Sequence, residues 1–424
     1  MAETNFVRVL LGLIFVGSAF QFFHLFSVGT PTKSASSSMH VKQQKEQNQK
    51  PPLLLSVPFC VCDHFDWDNA TFPVFQNECP QFKHSVDHWF AHAATRHPLR
   101  TFNPQEAKLF VIPFMMNAVS ERVYTGRTKN RSAKYVCIQD LCDYQLLDQA
   151  AQAIWNTKNP ATNKSYFEES PHLHVAVASH CYAAYSSWPN KGDLVPPLDC
   201  NSHLIGFESY RPSKHNRKRL LLPGTHIGKA CPETISFQNK SSDFALIASM
   251  QAKFQDRKNI CQWLKDGRKS ISVCGGGQQC PALEYARFGF HVKGDTFGSN
   301  RLMDALLTKA TVVPIFTRKE QYKILPWWID FANKLSFYAD ASNAAAFQQG
   351  IDKILTDDDY RQAYEQRLAA ITANRHLFDW TSLYPFDHYM YMVQAHEYPK
   401  TRHDPRKMLL NTTNSALILP EPEQ

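Results

Sequence analysis

Two cations and a pair of hydroxyls around one short turn are the groups best placed by spacing to do chemistry. In FGFHVKGDTFGSNRLMDALLTKATVVPIF, residues 288 to 316, Lys293 precedes a turn bearing Gly294 and Gly298, and Arg301 follows it. A guanidinium holds a diphosphate through a forked pair of hydrogen bonds, whereas an ammonium acts as a point charge. Glycine permits close backbone approach to a ligand, and Thr296 and Ser299 add hydroxyls. Asp304, three residues beyond Arg301, shares its helical face and would fix the direction of the guanidinium. Asp295 either binds a ribose or sugar hydroxyl or bonds its own backbone in the turn. The same residues also suit a solvated Arg and Asp pair on a surface helix, so the turn alone leaves both readings open.

Convergence of these groups requires a strand, a turn and a helix in succession. Phe288 to Val292 is a short apolar run with aromatic and β-branched content. Ser299 is a good N-cap, Leu302, Ala305 and Leu306 recur at helical spacing, and Thr311 to Phe316 is a second buried-type strand. A βαβ unit of this kind directs the positive end of its helix to the carboxyl edge of a sheet, where phosphates bind.

Alternation of strands and helices continues through the chain. Strands are expected at Leu53 to Phe59, Lys108 to Phe114, His174 to Ser179, Leu204 to Glu208 and Leu220 to Leu222, with helices at Ser85 to Thr95 and Asp148 to Trp155. A second series has strands at Phe244 to Ser249, Ser270 to Val273 and Leu335 to Tyr338. Its helices are expected at Asp256 to Lys265, Ala344 to Leu355, Asp359 to Thr372 and Tyr384 to Ala395. The pattern predicts an α/β protein with two Rossmann-like, doubly wound domains, 53–240 and 241–398, and a disordered polar tail, 399–424. Cys274-Gly-Gly-Gly-Gln-Gln-Cys280 lacks a following Lys-Ser and a clear helix start, and reads as a surface loop, open or closed by a disulfide.

Residues 9–28 are apolar apart from Gln21 and His24, long enough to span a bilayer and longer than an ordinary signal-peptide core. They are read as a transmembrane signal anchor behind a short cytoplasmic tail, 1–8, and ahead of a flexible Ser-, Gln- and Lys-rich stem, 29–52. The lysines after the anchor argue weakly against a lumenal C-terminus. The sequons at Asn69, Asn130, Asn163, Asn239 and Asn411 and all 11 cysteines lie on that side, and favour a lumenal chain with some disulfides. Net charge is +8, from 46 basic and 38 acidic residues, too modest and too dispersed for a nucleic-acid partner. No cysteine spacing matches a zinc site. Asp66-Trp67-Asp68 and Asp357 to Asp359 carry acidic pairs without the strand that an Asp-x-Asp metal site follows, so no motif supports a divalent metal. No Gly-x-Ser-x-Gly elbow or His-Glu-x-x-His helix supports a hydrolase.

KGDTFGSNRLMDALLTKATVVPIF resembles the C-terminal signature of the exostosin family, inverting glycosyltransferases of family 47. Gly294, Asp295, Thr296, Ser299, Arg301, Leu302, Asp304, Ala305, Pro314 and Ile315 match as they stand. His291-Val292-Lys293 and Lys309-Ala310-Thr311 depart from it. FNPQEAKLFVIPF is similar to the family's N-terminal block, and HLHVAVASHCYAAYS partly resembles its next strand. Arg257 matches an arginine on the helix that opens the family's second domain. The resemblance implies a GT-B arrangement, two domains facing a cleft, and transfer of sugar from a nucleotide-sugar, a UDP-sugar by expectation, to a glycan or polysaccharide. It implies a single-pass type II Golgi membrane protein, alone or in a homo- or hetero-oligomer. Lys293, Arg301 and Arg257 would stabilise the leaving diphosphate, and His180, which closes a strand in the first domain, would be the base. The competing expectation is a catalytically inactive exostosin-like subunit that binds nucleotide or glycan and supports a partner transferase.

Overall fold

The computed structural model describes residues 51–61, 86–113, 137–138, 141–142, 152, 154–178, 202–206, 220–231, 239–277, 279–294, 297–308, 312–356 and 360–399. The chain divides at Pro52 into Met1–Pro52 and Leu53–Gln424. The proposed anchor, 9–28, lies outside the described residues, among which no helix is long and apolar enough to cross a membrane.

Two parallel sheets organise Leu53–Gln424. The first contains β1 (Phe59–Val61), β2 (Arg100–Thr101), β3 (Leu109–Ile112), β6 (His174–Ala178), β7 (His203–Gly206) and β8 (Leu221–Pro223), in the order β2-β1-β3-β6-β7-β8. Every neighbouring pair in it is parallel. A separate antiparallel pair joins β4 (Cys137–Ile138) to β5 (Leu141–Cys142). The helix α1 (Val86–Arg96) packs beside the first sheet.

The second sheet contains β9 (Ser242–Ile247), β10 (Ile271–Gly275), β11 (Ala286–His291), β12 (Val313–Phe316) and β13 (Phe337–Tyr338), in the order β10-β9-β11-β12-β13. Its pairs are also all parallel. Between and after these strands run α2 (Gln255–Asp266), α3 (Gln279–Tyr285), α4 (Asn300–Leu307), α5 (Ala344–Thr356), α6 (Tyr360–Asn374) and α7 (Tyr384–Glu397). The order reverses between β9 and β11, and in open parallel sheets ligands bind outside the carboxyl ends of the strands at such a reversal.

Side-chain alternation explains how the second sheet takes helices. Phe244, Leu246, Phe288 and Phe290 join the large aromatic core, whereas Ala245 and Ile247 belong to a smaller cluster with Leu283 and Ala305. Gly289 completes that thin face: a Cβ there would stand 3.3 Å from both Leu283 Cδ2 and Val312 Cγ1, so its absence lets α3 and α4 lie close to the strands.

Two expectations need correction. The strand expected at Leu53 to Phe59 begins only at Phe59. Ahead of it the N–H groups of Leu54 and Leu55 donate to the Asp387 carboxylate at 2.6 and 3.1 Å, a tertiary partner that replaces a strand neighbour. The loop at 274–280 runs into α3 at Gln279, and its two cysteines pair elsewhere, Cys274 with Cys261 and Cys280 with Cys231. The helix α7 makes its long-range hydrogen bonds to residues of the first sheet and of the segment ahead of β1. Besides Asp387, Gln394 bonds Ser56, Glu397 accepts from His203 Nε2 at 2.8 Å, and Tyr398, just beyond the helix, donates to Lys108 O.

Candidate functional site

The carboxyl ends of β9 and β11 are clamped by one side chain. Arg257, in the first turn of α2 and only 8% exposed, donates from Nη1 to Ser249 O at 2.8 Å and from Nε to Lys293 O at 3.0 Å. Its guanidinium also lies 3.8 Å from the Phe254 ring centroid. These bonds use the planar fork to hold two strand ends at a fixed separation. Arg257 therefore sets the geometry of the reversal point.

The helix α4 opens beside it. Ser299 has extended backbone and its Oγ accepts from the Arg301 N–H at 3.2 Å, which makes it the N-cap that its residue type predicts. Arg301 is about a third exposed, and its Nη1 donates to Asp304 Oδ2 at 3.3 Å. Asp304 is buried and gathers two further donors, Asn300 Nδ2 at 3.1 Å and the Lys229 N–H at 2.7 Å. Lys293 is exposed, with Nζ 5.0 Å from the Phe297 ring centroid, and Gly294 beside it is half-buried. The positive end of α4, an exposed ammonium and a partly exposed guanidinium thus occupy one sheet edge, an arrangement suited to an anion.

Opposite α4 lies the segment that leaves β8. Gly228 packs so closely on α4 that a Cβ would come within 2.5 Å of the Met303 carbonyl carbon, which only glycine permits. Trp380 Nε1 donates to Thr225 Oγ1 at 3.0 Å, Tyr389 Oη donates to Pro223 O at 2.7 Å, and the Cys231–Cys280 disulfide ties the segment to α3. Held this way, Gly224, Thr225 and His226 face His291, Gly298 and Ser299 across a small pocket floored by Leu302 and Met303.

His291 is the unexpected member. It ends β11, is 1% exposed, and neither ring nitrogen has a hydrogen-bond partner; its ring meets Phe316 edge-on at 4.8 Å. Burial first, and then neighbouring His226, pushes its pKa down to about 3, so the ring is neutral at pH 7.

No protein-family model matches the sequence, and no curated protein matches it.

Of the residues singled out by sequence, Arg257, Lys293, Gly294, Ser299, Arg301 and Asp304 lie at this edge, Arg257 with its donors turned to backbone carbonyls. His180, Asp295 and Thr296 lie outside the described residues, as do both acidic motifs, 66–68 and 357–359. Among the described residues no group of three His, Cys, Asp or Glu side chains is arranged to hold a metal ion. Sequence reasoning missed His226 and His291. One signal was present for His291, a polar residue at the carboxyl end of an apolar strand; His226 has no local signal, because its neighbour is 65 positions away.

Proposed function

We propose that this chain is an exostosin-like inverting glycosyltransferase that moves a sugar from a nucleotide-sugar, a UDP-sugar by preference, to a glycan or polysaccharide acceptor. The reading is carried by the opening of α4: a Ser-capped helix start at the strand-order reversal of a parallel sheet, with Arg301 in its first turn and Lys293 in the strand-to-helix turn. In this reading the domains form a GT-B pair. The second holds the nucleotide diphosphate and the first, through the segment after β8, the acceptor. Inverting attack comes from the face opposite the leaving diphosphate, so cations at the α4 edge neutralise the charge that develops there. Arg257 serves by position, Arg301 and Lys293 by contact, Thr296 by its hydroxyl, Asp295 by capping or by binding a ribose or sugar hydroxyl, and His180 as base. The disulfides Cys231–Cys280 and Cys261–Cys274 support an oxidising compartment. With 9–28 as anchor, this reading puts the catalytic part in the Golgi lumen as a type II membrane protein.

A second reading keeps the fold without turnover: a subunit that binds nucleotide or glycan and supports a partner transferase. The bonds that hold Arg257 and Arg301 within the protein favour it. Full-length protein purified in detergent, assayed against a panel of nucleotide-sugars with glycan acceptors, separates the two. Release of nucleoside diphosphate from one donor supports transfer; binding without release from any donor supports the inactive subunit. Arg301→Ala is expected to weaken nucleotide binding about tenfold or more, as loss of a charge-assisted contact does. Unchanged affinity in that variant would put the diphosphate elsewhere.

A further inference from the structure

The pocket between the β8 exit and α4 has a member that the fold alone does not explain. A buried imidazole normally finds a partner for each ring nitrogen, since a polar atom kept dry and unbonded forfeits the hydrogen bonds it would make to water. His291 has none for either, although its own carbonyl accepts from Gln321 Nε2 at 2.9 Å. The pocket it lines also contains Ser299 and Gly298 at the start of α4, and His226 from the facing segment.

We propose that this pocket is an oxyanion site, and that His291 takes up a proton from solvent when a phosphate oxygen of the nucleotide-sugar enters. This rests on the reading of α4 as the diphosphate end of the donor site, and it adds a ligand residue and a proton linkage to that reading. A neutral imidazole offers one N–H; protonated, it offers two and a full charge. The helix start supplies the field that draws the anion, and the anion supplies the charge that stabilises the imidazolium.

Among the described residues the ionisable surroundings are few. His226 is the group that acts on His291 electrostatically, and it opposes a second positive charge. On α4 the Asp304 carboxylate is engaged by Arg301, Asn300 and Lys229. Lys293, two residues on, is exposed; β12 presents the Phe316 ring, and the turn after it presents neutral Gln321, Ile324 and Leu325. Among the described residues an entering anion therefore meets cationic or neutral groups, apart from one carboxylate already bonded to three donors.

Nucleotide-sugars suit the test because their diphosphodiester does not titrate between pH 5 and 8, so any proton bound belongs to the protein. Calorimetry on the full-length chain, with a panel of UDP- and GDP-sugars in buffers of different ionisation enthalpy, measures that proton directly. Uptake approaching one per site near pH 6, lost in His291→Gln together with about a tenfold fall in affinity, is the expected result. Binding without uptake, or uptake that persists in His291→Gln, overturns the proposal and leaves the donor-site reading standing. Sulfate, also non-titrating, supplies the other arm. If sulfate binds with His291-dependent uptake but no nucleotide-sugar binds, the oxyanion site stands and the donor reading fails; if neither binds, both fail. Should His291→Gln not fold, the wild-type pH series decides: the Kd must rise, by up to tenfold per pH unit, between pH 6 and 8, and a flat series refutes the linkage.

Discussion

The buried Asp304 carboxylate accepts the Lys229 backbone N–H at 2.7 Å, across 75 positions of sequence. That bond joins the segment leaving the first sheet to the helix at the edge of the second, and the same carboxylate steers Arg301. Asp304→Ala leaves a part-buried N–H without its acceptor and releases the guanidinium, and is expected to cost about 1–3 kcal/mol. Asp304→Asn keeps an acceptor for Lys229 and should cost roughly half as much. Urea midpoints at constant slope measure both, and equal losses in the two variants would show that charge, not the backbone bond, carries the effect.

Asp387 stitches α7 to the segment that leads into β1. It is fully buried and accepts from Leu54 N, Leu55 N and His97 Nε2, the last at 3.2 Å. Because His97 Nδ1 accepts from the Leu99 N–H, the Nε2 atom carries the proton that reaches Asp387. Asp387→Ala leaves three donors without an acceptor and should lower stability by about 3–5 kcal/mol. It should also open residues 51–58 to protease, and a digestion pattern identical to wild type would count against this strap.

Stability should fall as pH drops below 6.5. Burial is the leading cause that lowers His88, His174 and His291 to about 3 and His388 to about 4. In the unfolded chain each titrates near 6.5, so below that value the unfolded state binds more protons and is favoured. The stabilisation is whole above pH 6.5 and is lost as pH falls toward each folded pKa, at up to about 1.4 kcal/mol per pH unit for each histidine. Denaturant midpoints from pH 7.5 to 4.5 test the sign, and His291→Phe should flatten the slope by one histidine's share. A slope unchanged in that variant would exclude His291 from the effect.

The two disulfides should matter unequally. Cys231–Cys280 closes a sequence separation of 49 and Cys261–Cys274 one of 13. Chain-entropy reasoning assigns about 4 kcal/mol to the first and about 3 kcal/mol to the second. Cys231→Ser with Cys280→Ser should lower Tm more than Cys261→Ser with Cys274→Ser, and, on the proposed donor-site reading, should weaken nucleotide binding as well, since the first bridge ties the His226 segment to α3. A larger thermal loss from the shorter loop would reverse the ranking.

Local order was legible in the residues themselves. Apolar runs with β-branched and aromatic content mark β9, β11 and β12, serine type and position mark the cap of α4, and the three-residue spacing of Arg301 and Asp304 places them on one face, because each of these depends on neighbours within a turn or a strand. Partners distant in sequence were not legible. That Arg257 turns to Ser249 and Lys293 carbonyls, that Cys274 pairs with Cys261 and not Cys280, that α7 returns to bond Leu54, and that His226 meets His291 were all decided by tertiary packing. The physical reason is common to the four: hydrogen-bond capacity and thiol chemistry belong to a residue, but which group satisfies them depends on which strand ends and helix starts the assembled sheets bring within about 3 Å.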